Sequence, residues 1–234
     1  HLFHISGWIP PLHYCQWTGV SCNTEAWVTS LQVPPCSEIS AAAYAVPATI
    51  SSLTLLSALD LSDGCVSSLP ASLGELTRLQ SLVVTNNQLS VLPSSVGALT
   101  SLQTLSTGSN FLSLLPNSTG NLRALRSLDA SHNSLTALPD SLTALTALQQ
   151  LVLHHNRLTS LPEAIGQLSN LQQLHCSMNL LRSIPDSVAS LTQLIQLGAY
   201  GNKLTALPEG FGRLTNLGNL RIDNNLLTSL PASI

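Results

Sequence analysis

Apolar and polar positions recur along most of the chain with a fixed period of 23 residues. The first regular unit, LPASLGELTRLQSLVVTNNQLSV, begins at Leu69, and further units of the same length follow without an insertion. A less regular unit of the same length occupies residues 46–68. A repeat kept in register over so many units predicts an architecture of stacked, equivalent units. The later units begin at Leu92, Leu115, Leu138, Leu161, Ile184 and Leu207.

Within each unit, a short alternation of apolar and polar residues predicts a strand. In the first regular unit we expect Leu82 and Val84 to point inward, because side chains alternate between the two faces of a strand. Ser81, Val83 and Thr85 are then expected to point outward. Equivalent outward positions in successive units form columns across the predicted sheet.

In the regular units an asparagine follows each predicted strand, and a Leu-Pro or Ile-Pro segment follows the asparagine. The short amide of asparagine bonds readily to nearby backbone groups, so we expect it to hold a turn. The Leu-Pro segment carries leucines three residues apart, which predicts a helical turn or a 3₁₀ segment on the opposite side of the unit. The asparagines are Asn87, Asn110, Asn133, Asn156, Asn179, Asn202 and Asn225.

The regular units follow the pattern L-x-x-L-x-x-L-x-L-x-x-N-x-L, with Val, Thr, Ala, Cys or Ile often in place of the fourth leucine, and in this the chain resembles leucine-rich repeat proteins. The resemblance implies an α/β solenoid, a curved horseshoe with a parallel sheet on its concave face and short helical or 3₁₀ segments on its convex side. One unit cannot bury its own leucines, so stacked units share a core. We expect residues 46–234 to form eight units and the start of a ninth, as part of a longer protein.

The stretch CQWTGVSCNTEAWVTSLQV ahead of the repeats resembles the N-terminal cap of plant extracellular leucine-rich repeat proteins, the receptor ectodomains and polygalacturonase inhibitors. A solenoid exposes its apolar core at each end, so an atypical terminal segment is expected there. We assign residues 1–45 to this cap. The resemblance implies a disulfide between Cys15 and Cys22. The matching residues are Trp17, Gly19, Val20, Cys22, Val28, Thr29 and Leu31.

The remaining cysteines fall into two groups. Cys36 and Cys65 each follow a predicted strand in adjacent turns, so we predict a second disulfide between them, worth roughly 3–4 kcal/mol in the chain-entropy model. Cys176 occupies an inward strand position and is expected to be a buried free thiol. Two disulfides indicate an oxidising, extracellular compartment. The alternative is that all five cysteines are reduced and the protein is an intracellular scaffold.

Charge and modification signals refine this picture. Charged residues make up only 8% of the chain and the formal net charge is −3, which argues against nucleic acid or an anionic membrane as a partner. No apolar run is long enough to predict a membrane-spanning helix. The triplet Asn117-Ser118-Thr119 is an N-glycosylation acceptor, and we predict a sugar at Asn117.

Histidines gather in neighbouring columns of the predicted concave face. Strands in a sheet lie about 4.8 Å apart, so we expect four histidines to form one patch with an aspartate and a tyrosine alongside. One interpretation is a zinc or copper site at His132 and His155; another is an ordinary polar surface. We favour an adaptable contact surface, without a metal or cofactor, whose binding changes near pH 6. The candidate ligand-binding residues are Asp129, His132, His154, His155, His175, Tyr200, Arg221 and Asp223.

Catalytic motifs are absent from the sequence, and a serine beside a histidine, Ser131 and His154, lacks the strained turn or oxyanion donors that a nucleophile needs. Columns of Thr and Ser on the convex side raise a further alternative, a match to ice or a polysaccharide.

We therefore predict a non-enzymatic extracellular binding module, secreted or on the cell surface, for a protein, peptide or glycan. The main alternative is a structural element that self-associates in a wall, matrix or filament, which the mean hydropathy of +0.29 favours slightly.

Overall fold

Short strands and 3₁₀ segments alternate along the chain. The computed structural model describes residue 15 and residues 18–25, 27–33 and 43–234. The strands among them are β1 (Val20–Cys22), β2 (Val28–Gln32), β3 (Tyr44–Ala45), β4 (Ala58–Asp60), β5 (Val66–Ser68), β6 (Ser81–Val83), β7 (Thr104–Ser106), β8 (Ser127–Asp129), β9 (Gln150–Val152), β10 (Gln173–His175), β11 (Gln196–Gly198) and β12 (Asn219–Arg221).

The Leu-Pro segments form 3₁₀ turns, which decides between the two possibilities that the sequence allowed. In the first regular unit Pro70 precedes the segment with φ −74°, and the N–H of Leu76 donates to the carbonyl of Leu73 at 3.1 Å. Such i→i+3 bonds close a tight turn that short segments adopt readily. The segments are Ala48–Ser52, Ala71–Glu75, Ser94–Ala98, Asn117–Asn121, Asp140–Ala144, Ile165–Gln167, Asp186–Ser190 and Glu209–Arg213.

The main sheet has ten strands in the order β1-β2-β4-β6-β7-β8-β9-β10-β11-β12. From β2 onward neighbouring strands are parallel, and Leu59, Leu82 and Leu105 pair in register because 23 residues make one complete turn of the solenoid. The side chains alternate as expected, since Leu82 and Val84 are fully buried while Ser81 and Val83 are partly exposed. The predicted solenoid is thus confirmed.

The described part of the cap contains an antiparallel hairpin of β1 and β2. Gly19 has φ +83°, and a Cβ there would collide with the carbonyl oxygen of Gln32, so the glycine of the cap motif is required by both conformation and space. A disulfide joins Cys15 and Cys22, the pair implied by the resemblance. Trp17 lies outside the described residues.

Only one cysteine of the second predicted disulfide lies among the described residues. Cys65 is disulfide-bonded, but Cys36 lies outside the described residues, so their pairing stays a prediction. Cys176 is a free, fully buried thiol, and its burial raises its pKa to about 12, which makes it inert.

A small second sheet, not expected from the sequence, lies beside Cys65. Its strands β3 and β5 are parallel, and the N–H of Tyr44 donates to the carbonyl of Cys65 at 2.8 Å. The hydroxyl of Ser67 donates to the carbonyl of Tyr44 at 3.0 Å. These bonds attach the end of the cap to the less regular unit of residues 46–68.

In each regular unit an asparagine, buried or partly buried, joins the unit to the unit before it. Oδ1 of Asn156 accepts a hydrogen bond from the N–H of Leu135 at 2.9 Å, and its Nδ2 donates to the carbonyl of Ala130 at 2.9 Å. Nδ2 also lies 3.0 Å from the carbonyl of Leu153 in its own unit. The asparagine therefore holds its own turn and also ties together two consecutive turns. The same bonds recur at Asn87, Asn110, Asn133, Asn179, Asn202 and Asn225.

On the opposite side, glycines let successive 3₁₀ segments approach closely. A Cβ at Gly74 would lie 2.5 Å from the carbonyl oxygen and 2.9 Å from the Cβ of Ser95, twenty-one residues later in the next segment. Gly97, Gly120, Gly166 and Gly212 meet Ser118, Ser141, Ser187 and Ser233 in the same way. Where Thr143 or Ala189 replaces the glycine, the facing residue is Ala164 or Gly210 instead of serine.

We predict that Asn156→Ala lowers the free energy of unfolding by about 3 kcal/mol, because each buried backbone group left without a partner costs about 1–3 kcal/mol. Asn170 is the matched control, since its Nδ2 donates to the carbonyl of Thr146 at 2.8 Å but is exposed. Asn170→Ala is expected to cost less than about 1 kcal/mol. Urea denaturation of both variants measures this difference, and equal losses would contradict the prediction.

We predict that Gly74→Ala destabilises the chain by about 1–3 kcal/mol, because the new methyl group has no room against the next 3₁₀ segment. Gly218→Ala serves as the control, since the nearest atom to its Cβ position, the carbonyl oxygen of Ile195, is 4.0 Å away. That control is expected to be neutral or slightly stabilising. Thermal denaturation compares the two, and a neutral Gly74→Ala variant would show that the close approach is dispensable.

Candidate functional site

Three of the candidate residues stand at the C-terminal ends of strands on the concave face. Asp129 ends β8, His175 ends β10 and Arg221 ends β12, with Val152 and Gly198 at the same position in the strands between them. Register pairing therefore places these residues in one column, as the sequence predicted. Asp129 and His175 are partly buried, and Arg221 is exposed.

The column that contains His132 and His155 was expected to form the exit of each strand. Its residues lie instead in a left-handed turn. His132 has φ +51° and His155 has φ +54°, and the non-glycine residues at the same place in most other units share this conformation. Histidine, asparagine and aspartate tolerate the left-handed region better than most residues do. The turn projects both imidazoles into solvent beyond the sheet edge.

Three imidazole rings form one contact group, which we call the histidine cluster: His132, His154 and His155. The rings of His132 and His155 stack with centroids 4.3 Å apart and an interplanar angle of 14°. The ring of His154 meets them edge-on, with centroids 5.1 Å from His132 and 5.6 Å from His155. Three of the four histidines that the columns placed in one patch therefore make ring contacts, and His175 is not among them.

Backbone bonds hold the histidine cluster in place. The N–H of His132 donates to the carbonyl of His154 at 2.9 Å, and the N–H of Asn133 donates to the carbonyl of His155 at 3.2 Å. The N–H of His155 in turn donates to the carbonyl of Ser177 at 3.1 Å. The same ladder that stacks the units thus fixes the main-chain positions from which the imidazoles project.

Protonation of the cluster is disfavoured at its centre. The pKa of His154 is lowered from its ordinary value, first by partial burial and then by the neighbouring positive charge of His132, with smaller contributions from His155 and His175. The carboxylate of Asp129 opposes this by favouring the protonated form. The pKa of His175 is also lowered, because the ring is partly buried.

Asp129 has a structural role as well as a place on the surface. Its Oδ1 accepts a hydrogen bond from the N–H of Ser131 at 2.8 Å, which caps the exit from β8. Gly108, in the preceding unit, leaves space in front of Oδ1 and Oδ2, since a Cβ there would lie 3.4–3.5 Å from them. The carboxylate therefore stays accessible from the concave side.

The remaining three candidates form a second group, the tyrosine–arginine group: Tyr200, Arg221 and Asp223. The guanidinium carbon of Arg221 lies 4.6 Å from the centroid of the Tyr200 ring, within the range of a cation–π contact. Nε of Arg221 lies 3.6 Å from Oδ1 of Asp223, and both side chains are largely exposed. Solvent therefore screens this ion pair.

A glycine separates the two groups. Gly198 pairs with His175 on one side and with Arg221 on the other, and it has no side chain to place between them. A Cβ at Gly198 would lie 3.3 Å from Nδ1 of His175 and 3.2 Å from Oγ of Ser177, so these two side chains pack closely beside the glycine. The partly buried ring of His175 lies between the histidine cluster and the tyrosine–arginine group.

A metal site is not supported by this geometry. Among the described residues, no three or more His, Cys, Asp or Glu side chains are placed to hold one ion. The rings of His132 and His155 stack face to face, whereas two metal-bound imidazoles must direct a nitrogen of each ring at one point.

The sequence interpretation overlooked one column of the concave face. Oγ of Ser127 lies 3.0 Å from Oε1 of Gln150, and Nε2 of Gln150 donates to Oε1 of Gln173 at 3.0 Å. These partly buried side chains form a hydrogen-bonded chain beside the histidines. The signal was available, because glutamine or asparagine recurs every 23 residues at Gln150, Gln173, Gln196 and Asn219.

Family models match most of the repeat region. A leucine-rich repeat region matches residues 147–231, a leucine rich repeat model matches residues 77–135, and a model of two leucine-rich repeats matches residues 123–163. The chain belongs to the leucine-rich repeat proteins. In a sequence comparison with curated proteins, no protein matches this leucine-rich repeat chain significantly.

Solved leucine-rich repeat structures share the fold. A leucine-rich repeat protein of Leptospira interrogans is 33% identical, with a TM-score of 0.76 over 80% of this chain. The ectodomain of the Arabidopsis receptor kinase HAESA, solved with an extended IDA peptide hormone, is 30% identical, with a TM-score of 0.79 over 93% of this chain.

A third structure is the ectodomain of the receptor kinase GASSHO1/SCHENGEN3 from Arabidopsis thaliana, solved with CASPARIAN STRIP INTEGRITY FACTOR 2. It is 32% identical, with a TM-score of 0.74 over 81% of this chain. The chain spans less than half the length of each of these structures, 48%, 37% and 24% for the Leptospira protein, HAESA and GASSHO1 respectively. The likeness to plant receptor ectodomains agrees with the resemblance seen in the cap.

No helical segment of the described residues has the length and apolar content to span a membrane.

We predict that the leucine-rich repeat solenoid loses stability as the pH falls from about 7 to about 5. The folded-state pKa of His154 lies below its ordinary value of 6.5, so the unfolded chain binds more protons in this range and is favoured by acid. His154→Gln is expected to remove part of this pH dependence, measured by urea denaturation at both pH values. Thr100→Ala, at an exposed convex position, is the control and keeps the wild-type dependence. A His154→Gln variant with an unchanged dependence would contradict the assignment.

Proposed function

We propose that this chain is a binding module of an extracellular leucine-rich repeat protein, which holds a peptide or an extended protein segment on its concave face without chemical conversion. The observation that carries the proposal is the histidine cluster with the tyrosine–arginine group beside it on one rigid surface. Aromatic rings and arginine are the side chains that contribute most strongly to protein interfaces.

The ladder of backbone bonds supports binding by preorganisation. His132, His154 and His155 are positioned through their main-chain groups, and the stacked rings support each other. A partner that docks on such a surface orders few side chains, so less conformational entropy opposes binding. A surface of this kind recognises its ligand without a deep pocket.

The chemistry of the face fits a peptide. The amides of Gln150 and Gln173 supply uncharged donors and acceptors that match a peptide backbone, and the partly exposed His175 adds a group that donates or accepts. Arg221 supplies a positive charge at the far end. An extended segment that crosses the strands would meet these groups in turn.

The related structures support a peptide ligand and an extracellular setting. HAESA and GASSHO1 are receptor ectodomains, and HAESA was solved with a peptide hormone. The disulfide between Cys15 and Cys22 fits an oxidising compartment. The identity of the ligand and the activity of the whole protein belong to this proposal as well.

We predict that the wild-type chain, immobilised at pH 7, enriches specific sequences from a random peptide library displayed on phage. The double variant His154→Ala/Tyr200→Ala is expected to bind the enriched peptides about tenfold or more weakly, which corresponds to about 1.4 kcal/mol or more. Thr100→Ala/Thr192→Ala is the matched control, because both threonines are exposed on the convex side. The control is expected to keep full affinity.

Two outcomes would overturn the proposal. A library without enriched sequences, together with self-association of the chain in analytical ultracentrifugation, would favour a structural element. Equal weakening by the concave and convex double variants would place the ligand outside the concave face.

A further inference from the structure

A threonine stands at a position of the core that other units fill with an apolar side chain. Thr119 is fully buried within the 3₁₀ segment Asn117–Asn121. Its hydroxyl therefore occupies a place where a methyl group would be expected. The residues at the same position in the other units are Ile50, Leu73, Val96, Leu142, Ile165, Val188 and Phe211.

The hydroxyl of Thr119 has no hydrogen-bond partner among the described residues. Two other buried threonines behave differently: Oγ1 of Thr107 donates to the carbonyl of Asp129 at 3.0 Å, and Oγ1 of Thr143 donates to the carbonyl of Asp140 at 2.7 Å. A buried hydroxyl without a partner is destabilising, and valine has nearly the same shape without that cost. Packing alone therefore does not account for threonine here.

The local sequence offers a reason for threonine at position 119 that does not depend on the folded state. Thr119 is the third residue of the triplet Asn117-Ser118-Thr119, and a hydroxyl two residues after asparagine defines the N-glycosylation acceptor. Asn117 is exposed at the start of its 3₁₀ segment. Its main-chain carbonyl accepts a hydrogen bond from Oγ of Ser141 at 2.7 Å, while its side chain faces solvent.

We propose that Asn117 carries an N-linked oligosaccharide that is attached before its repeat unit folds, and that Thr119 keeps its destabilising hydroxyl for this attachment. The co-reactant is an oligosaccharide joined to a lipid diphosphate. A bond forms between Nδ2 of Asn117 and C1 of the first sugar, and the bond between C1 and the diphosphate oxygen breaks. The lipid diphosphate leaves with that electron pair, and the amide gives up one proton to a base of the transferase.

The burial of Thr119 determines the order of sugar attachment and folding. In the folded chain the hydroxyl of Thr119 is inaccessible, and the segment is packed against the next unit through Ser141 and Gly120. A transferase that must contact the hydroxyl can reach it only in the unfolded chain. Sugar attachment therefore precedes closure of the unit that begins at Leu115.

The position of Asn117 leaves the concave face free. It lies on the 3₁₀ side of its unit, whereas the histidine cluster lies on the sheet side. This inference rests on the extracellular setting in the proposed function and does not depend on its ligand. Failure of the peptide selection would therefore leave the sugar result standing.

The first test is the intact mass of the chain secreted from a eukaryotic host, before and after digestion with peptide N-glycosidase. The wild-type chain and Thr119→Ser are expected to lose the mass of an oligosaccharide at one site, while Asn117→Gln and Thr119→Val carry none. A secreted and folded wild-type chain without sugar would overturn the proposal, as would a sugar on Thr119→Val.

The second test measures the cost of the hydroxyl. Wild type and Thr119→Val are compared as sugar-free proteins from a bacterial periplasm. Thr119→Val is expected to raise Tm by about 2–4 °C, the shift typical of removing one unfavourable buried group in a chain of this size. A lower Tm for Thr119→Val would show that threonine is preferred by the fold, and would remove the reason to invoke the acceptor.

The third test addresses timing. The sugar-free folded chain and a synthetic peptide of residues 111–123 are each incubated with purified oligosaccharyltransferase and its lipid-linked donor. The peptide is expected to be modified and the folded chain is not. Equal modification of the folded chain would contradict attachment before folding.

Discussion

The structure depends on the two-sided hydrogen bonding of one asparagine amide, buried or partly buried, in every regular unit. An asparagine such as Asn156 satisfies an N–H and a carbonyl of the previous turn while it also holds its own turn. No other side chain of this size offers a donor and an acceptor at that reach. Because the same bonds recur without interruption from Asn87 to Asn225, the solenoid is a continuous ladder whose units cannot shift against one another.

This constraint also determines where functional side chains stand. The asparagine follows directly after a residue in the left-handed region, the position of His132 and His155. Side chains there are held at the edge of the sheet by the tightest part of the turn, and the units bring them close enough for their rings to stack. The chain therefore gains an aromatic surface from a position that four of its eight units fill with Asp, Asn or Ser.

Much of this was accessible from the sequence, because the 23-residue period converts positions into columns. The inward leucines, the turn asparagines and the meeting of the histidines follow from that period alone. The left-handed turn at His132 and the stacking of its ring do not, since they depend on φ and on side-chain rotamers. The small sheet of β3 and β5 also escaped prediction, because its strands are too short to show alternation. The unpartnered hydroxyl of Thr119 could be recognised only once its surroundings were known.

The close contacts between successive 3₁₀ segments bear on how the number of units changes during evolution. Each glycine is matched to a residue in the following unit. A unit can therefore be lost without a clash only if the two segments that then become neighbours also match. Loss of residues 115–137 would bring Gly97 against Ser141 and preserve the match. Loss of residues 161–183 would instead set Thr143 against Ser187, where a side chain has no room. Repeat number is therefore free to vary near the start of the array and is restricted at the two places in its second half where Thr143 and Ala189 replace the glycine.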